Sequence, residues 1–268
     1  MEKEIKFEKN SFDKRLKSML SVDFRRMFTT PLFYIMVGVC FVIPILILVM
    51  TTMMDGSVSV NPTTGEETVM EGFKNTWQII ASSSDANMMD MGITSMCNMN
   101  MMYFAVAVLV GLFVSDDFRS GYAKNLFTVR AKKNDYVVSK TAVCFVAGAA
   151  MILAFFVGSM LGGAIAGLPF DTGSAGAGGV VMCLISKVLM VAVFVPIFLA
   201  VSVAAKQKAW LAILGSLAIG MLLFTMVPMI TPLNSTFLNI ILCLAGGAMF
   251  SFGIGAVSNL ILKKTSLV

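Results

Sequence analysis

LFYIMVGVCFVIPILILVMTTMM, residues 32–54, runs for 23 residues without a formal charge. As an α-helix rising about 1.5 Å per residue it reaches roughly 34 Å, enough to cross the ~30 Å of bilayer hydrocarbon. Five further stretches repeat the pattern, so the expected spans are about 32–54, 95–115, 139–168, 180–205, 209–229 and 238–262. The runs are continuously apolar and do not alternate at period two, so helices, not barrel strands, must satisfy their backbone groups. The whole chain of 268 residues is 57% hydrophobic and 13% charged, too little polar surface to coat a water-soluble globule. The sequence therefore predicts an all-α membrane protein with six transmembrane helices, and the short gaps between spans make residues 1–268 one transmembrane domain.

The charges give an orientation. Eight basic residues precede Pro31, six lie from Arg119 to Lys140, and pairs follow at Lys206/Lys208 and Lys263/Lys264; Lys74 alone occupies an alternate gap. The alternate gaps are acidic, with Asp55, Glu66, Glu67, Glu71, Asp85, Asp90 and Asp171. By the positive-inside rule both termini are expected in the cytoplasm. The net charge of +5 is then mostly a topology signal and implies no nucleic-acid partner. Five cysteines fall in or beside five different spans, without the spacing of a metal site or a disulfide framework. Histidine is absent, which removes the commonest general base and metal ligand and argues against hydrolytic chemistry.

Ahead of the first span, Phe12, Leu16, Met19, Leu20, Phe24 and Met27 recur at three- and four-residue steps, with Lys14, Arg15, Lys17, Arg25 and Arg26 on other faces. The pattern predicts an amphipathic helix over 12–28 lying on the inner leaflet, its basic side chains toward anionic headgroups. Residues 55–90 form the longest external loop; Phe73, Trp77 and Ile80 predict a short interfacial helix there, with Trp77 at headgroup level. Gly158/Gly162 and Gly163/Gly167 suit close helix packing within one subunit or, alternatively, a dimer seam.

The most informative polar stretch is the link between the second and third spans, Asp116-Asp117-Phe118-Arg119-Ser120-Gly121-Tyr122-Ala123-Lys124-Asn125-Leu126-Phe127-Thr128-Val129-Arg130. It reads as a short helix over 117–130, with Ser120 as a cap, Tyr122, Leu126 and Val129 on one side and Lys124 elsewhere. Asn134 or Asp135 would cap the next span. Such a helix suits a groove on a soluble partner; an ordinary basic loop at the headgroups is the other reading of the residue types.

Asp117-Phe118-Arg119-Ser120-Gly121, with Lys124-Asn125 and later Asn134-Asp135-Tyr136-Val137-Val138-Ser139-Lys140, resembles the segment after the second helix of type-2 ABC transporter permeases. Tyr122 stands where that family often has threonine, and Val137-Val138 is less aromatic than usual. The resemblance extends to the inner-leaflet helix, the six spans and the larger first external loop. It implies that Asp117, Phe118, Arg119, Ser120, Gly121, Tyr122, Lys124, Leu126 and Val129 belong to a coupling helix docked on a cytoplasmic ATP-binding subunit, and that residues 12–28 are the connecting helix. It also implies a bacterial cell-membrane exporter with two ATP-binding subunits, a second copy of this chain or a similar permease, and amphipathic peptide as first-choice cargo, with drugs or lipids next. The chain has no Gly-x-x-x-x-Gly-Lys-Ser/Thr loop, so no cofactor is expected on it, and ATP with magnesium belongs to the partner.

Lys187 is the one charge well inside a span. It either carries its ammonium outward along a flexible stem or serves a cargo pathway, paired with Asp90 or Asp171. Met99 and Met102 belong to a methionine-rich stretch, Met88 to Met102 with Cys97, that suits an apolar wall against cargo; thioethers with a thiolate also suit Cu(I), so a copper exporter is an alternative. An intramembrane enzyme would need a nucleophile with a base, and a secondary transporter mid-span carboxylates; neither pattern is present in the sequence.

Overall fold

The computed structural model describes residues 12–60, 67–81, 97–128 and 132–264. Its helices are α1 (Phe12–Thr29), α2 (Pro31–Met53), α3 (Met102–Arg119), α4 (Tyr122–Thr128), α5 (Lys133–Ala166), α6 (Gly176–Ala205), α7 (Ala209–Phe224), α8 (Val227–Ile230) and α9 (Phe237–Lys264). Among the described residues, five helices (α2, α3 with its preceding turn, α5, α6 with its preceding turn, and α9) are long and apolar enough to cross a membrane. The expected span over 209–229 is divided: α7 has 16 residues, about 24 Å, and the chain turns before Pro228 into the four-residue α8. Proline without an amide proton and with a fixed φ cannot continue α7 but suits the first turn of a new helix.

Helices α5 and α6 form the centre. Helix α2 lies along α5, and the fit depends on glycine: a Cβ on Gly158 would meet the Phe41 carbonyl oxygen, and one on Gly162 would lie 2.8 Å from Ile45 Cα. Close packing within one subunit thus accounts for this pair, and Gly163 packs against Thr76 in the same way. Gly167, with φ +69°, closes α5 in the left-handed region that favours glycine. Helices α3 and α7 pack against one another beside α6, and α9 lies along its other side.

The external loop differs from expectation. Val58–Val60 and Glu67–Val69 pair as a small antiparallel hairpin, Val58 opposite Val69. Asn61 to Gly65, expected as a turn, together with Asp85 and Asp90, lies outside the described residues. Lys74 Nζ pairs with Asp55 Oδ2 at 2.6 Å, and the same carboxylate accepts from the Gly72 amide. Trp77, expected at an interface, is covered by protein. It is buried in a single 3-10 turn, Thr76–Ile79, with its ring near Phe156 and Phe170, so Phe73, Trp77, Ile79 and Ile80 seal one end of α5. Burying four large apolar side chains against protein is worth more than leaving the indole at an interface.

At the opposite, basic end, Arg15 Nε meets Asp135 Oδ2 at 2.9 Å, and Lys133 Nζ donates to the Leu262 carbonyl at 2.6 Å. Both α1 and the end of α9 therefore meet the start of α5, which puts the first and last described helices on one side of the bundle.

Candidate functional site

Helix α3 runs through Asp117, Phe118 and Arg119 before it stops; Ser120 Oγ then donates to the Asp116 carbonyl at 2.7 Å. Gly121, at φ +77°, makes the break, and α4 begins at Tyr122. The expected single helix over 117–130 is thus two pieces. Asp117, Phe118 and Arg119 end the spanning helix, Ser120 closes that helix instead of opening the next, and Val129 lies outside the described residues.

The reason is a buried ion cluster. Lys140 Nζ lies 2.7 Å from Asp117 Oδ2 and 2.9 Å from Asp23 Oδ1, and all three side chains are fully buried. Arg26 Nη1 meets Asp117 Oδ1 at 2.6 Å, Tyr136 donates its hydroxyl to Asp117 Oδ2 at 2.8 Å, and Ser139 donates to Asp23 Oδ2 at 2.6 Å. Lys140 Nζ also stands 4.0 Å from the Phe113 ring centre, and Arg26 Cζ 4.0 Å from that of Tyr122. Opposite charges and hydroxyl donors offset the desolvation that would forbid a lone ion here. Burial by itself would lower the Arg26 pKa, but the Asp117 carboxylate overrides it and the net shift is upward. Burial, then neighbouring Asp23, pushes the Tyr122 phenol up, so the ring stays neutral beneath the guanidinium.

The cluster joins four elements: α1 through Asp23 and Arg26, α3 through Asp117, α4 through Tyr122, and α5 through Tyr136, Ser139 and Lys140. One face of α1 accordingly rests on protein. Met19, Asp23 and Met27 are its buried residues, and Arg15 and Arg26 are drawn into ion pairs. Asp135, expected as a cap, is occupied by Arg15, and α5 starts from Lys132 without a side-chain cap. In α4, Ala123 is buried and Tyr122, Leu126 and Phe127 are half-buried; the Phe127 ring lies edge-on to Tyr136. The expected aromatic-aliphatic stripe therefore turns toward its own bundle, and Lys124, Asn125 and Thr128 form the exposed face, with Arg119 exposed beside them.

At the other end of the bundle Lys187 does not reach outward. It is fully buried, donating to Asn100 Oδ1 at 2.6 Å and Thr231 Oγ1 at 3.1 Å. Tyr103 donates to the Lys187 carbonyl at 2.9 Å. Lys187 thus ties α6 to the turn before α3 and to the segment after α8. Neither expected acidic partner is seen on it: Asp171 lies elsewhere, accepting from the Gly173 amide, and Asp90 lies outside the described residues. Met99 and Met102 are buried close by in sequence to Asn100, whereas Met88, Met89, Met91 and Met96 lie outside the described residues.

Residue-type reading missed Asp23 and Asn100. For Asp23 a signal existed: an acid at the central position of the Met19, Asp23, Met27 series, four residues from each, interrupts an otherwise apolar face.

A bundle of long apolar helices, with a short amphipathic helix and a glycine-broken link tied together at one basic end, is the architecture of a multi-pass membrane protein. The chain belongs to the ABC-2 family of transporters: the family model described as "ABC-2 family transporter protein" matches residues 24–227, most of its length. No curated protein and no solved structure matches it.

Proposed function

We propose that this chain is the permease subunit of an ATP-driven exporter, worked from its basic face by a separate ATP-binding subunit. The observation that supports this reading best is the Asp23–Lys140–Asp117–Arg26 cluster, which makes α1, α3, α4 and α5 one body under the exposed face of α4. A push on Lys124, Asn125, Thr128 and Arg119 would then reach α3 and α5 without being absorbed by a flexible loop. Family membership points to the partner class; two ATP-binding subunits would act on two permeases, either two copies of this chain or this chain with a similar one, with ATP and magnesium held by the ATPases.

In this reading the basic face is cytoplasmic, the chain crosses the bacterial cell membrane six times with α7 and α8 together making the fifth pass, and the coupling residues are Asp117, Phe118, Arg119, Ser120, Gly121, Tyr122, Lys124, Leu126 and Val129. Asp117, Phe118 and Tyr122 act from inside by transmitting force, Ser120 and Gly121 by shaping the break, and Arg119 and Lys124 by contact. Nucleotide-driven closure of the ATPases supplies the differential binding energy that changes the permease's shape. At the outer end, Lys187, Met99 and Met102 form the closed side of the cargo path. Apolar, methionine- and phenylalanine-rich walls suit amphipathic cargo, peptide first and drugs or lipids next.

The test is co-purification of the chain with an ATP-binding-cassette subunit encoded beside it. Reversing charge on the exposed face, Arg119→Glu with Lys124→Glu, should cut the retained ATPase about ten-fold while leaving the melting temperature unchanged. Full retention by that variant overturns the docking assignment. Phe118→Ala is a poor probe, because Phe118 is only 8% exposed and its loss disturbs packing.

A further inference from the structure

On the outside of the bundle α5, α6 and α9 leave a groove of about 650 Å³, in the size range of ligand pockets. Two polar side chains mark one end of it, Asn134 on α5 and Asn259 on α9; deeper walls include Phe145 on α5 and Ala248 on α9. The lining runs from Asn134 to Phe145 on α5, about 16 Å of helix, and from Asn259 to Cys243 on α9, about 24 Å. The groove therefore runs inward from the basic end over more than half of the ~30 Å hydrocarbon thickness.

Its mouth is cationic. Lys132 immediately precedes α5, and Lys263 and Lys264 end α9 one turn beyond Asn259; all three are exposed and without an ion pair among the described residues. An apolar slot that opens beside exposed lysines at the basic end has the polarity of a single phospholipid. We propose that it holds one acyl chain of an anionic phospholipid from the leaflet at the basic end, with the phosphate among Lys132, Lys263 and Lys264. A second copy of the chain suits the groove less well, since a two-fold contact there would bring the same three cations of each copy together. The site is independent of the transport reading, because it depends only on which end of the bundle is basic.

The full-length chain, reconstituted in phosphatidylcholine nanodiscs, is probed with a small fraction of phosphatidylglycerol carrying a photoactivatable acyl chain, and the crosslinked peptides are mapped. Labels should fall within 134–145 and 243–259. The triple variant Lys132→Gln, Lys263→Gln, Lys264→Gln should lower labelling by roughly five-fold per lysine removed. Its positions are exposed, so its fold should be intact. Ala248→Phe with Ala256→Leu, filling the groove from exposed positions, should abolish labelling there even with all three lysines present. Equal labelling by a phosphatidylcholine probe of the same acyl chain overturns the proposal, as do unchanged labelling in the triple variant and chain-to-chain crosslinks through the groove in place of lipid.

Discussion

Lys140 and Asp23 show how much one pair of residues can carry. Both side chains are fully buried, and Lys140 also serves Asp117, so removing the ammonium leaves Asp23 with only the Ser139 hydroxyl and Asp117 with only Arg26 and Tyr136. Lys140→Met should destabilise the folded chain by about 3–5 kcal/mol, whereas Lys140→Met with Asp23→Asn should cost less than the sum of the two single changes. Thermal unfolding of the purified single and double variants in detergent measures both; strict additivity would show that the two groups do not depend on one another. The sequence displayed Lys140 as one of many basic residues between apolar runs and as the end of the stretch that carries the family resemblance. Its second role needs Asp23, 117 residues earlier, and no local pattern joins them.

At the level of elements, the small β-hairpin is held at its base by Asp55, which pairs with Lys74 and accepts from the Gly72 amide. The hydrogen bond from Lys74, then that from Gly72, lowers the Asp55 pKa below its ordinary 3.8. A lowered carboxylate pKa gives stability that is present above the ordinary value and is lost as pH falls through the folded one. Exchange of the Gly72 amide, corrected for its intrinsic rate, should therefore be constant from about pH 8 to about pH 5 and accelerate below roughly pH 4. A change near neutrality would assign the protection to another group. The break between α3 and α4 is also an element-scale outcome. Tyr122, Leu126 and Phe127 were readable as one apolar side of a helix, but whether that side faces a partner or the chain's own bundle depends on where Tyr136 and Lys133 stand.

For the whole molecule, the transport reading puts the closed side of the path at Lys187, where α6, the turn before α3 and the segment after α8 meet. Lys187→Met should reduce cargo export by about ten-fold with the amount of folded protein in the membrane unchanged, since a buried cation among neutral partners is a costly feature to keep for packing alone. Unchanged export would remove Lys187 from the path. The helical membrane architecture was legible in the sequence because hydrocarbon imposes a local rule: every backbone group must bond within its own helix, so length and continuous apolarity alone reveal a span. The short amphipathic helix and the link after the second long helix were legible for the same reason, as periodicity is a property of neighbouring residues. Tertiary structure alone decided which charges are spent inside, that Gly158 admits the backbone of α2, that Trp77 is covered, and that the fifth apolar run turns before Pro228. Those outcomes depend on contacts between residues far apart in the chain, where packing and desolvation, not local pattern, set the energy.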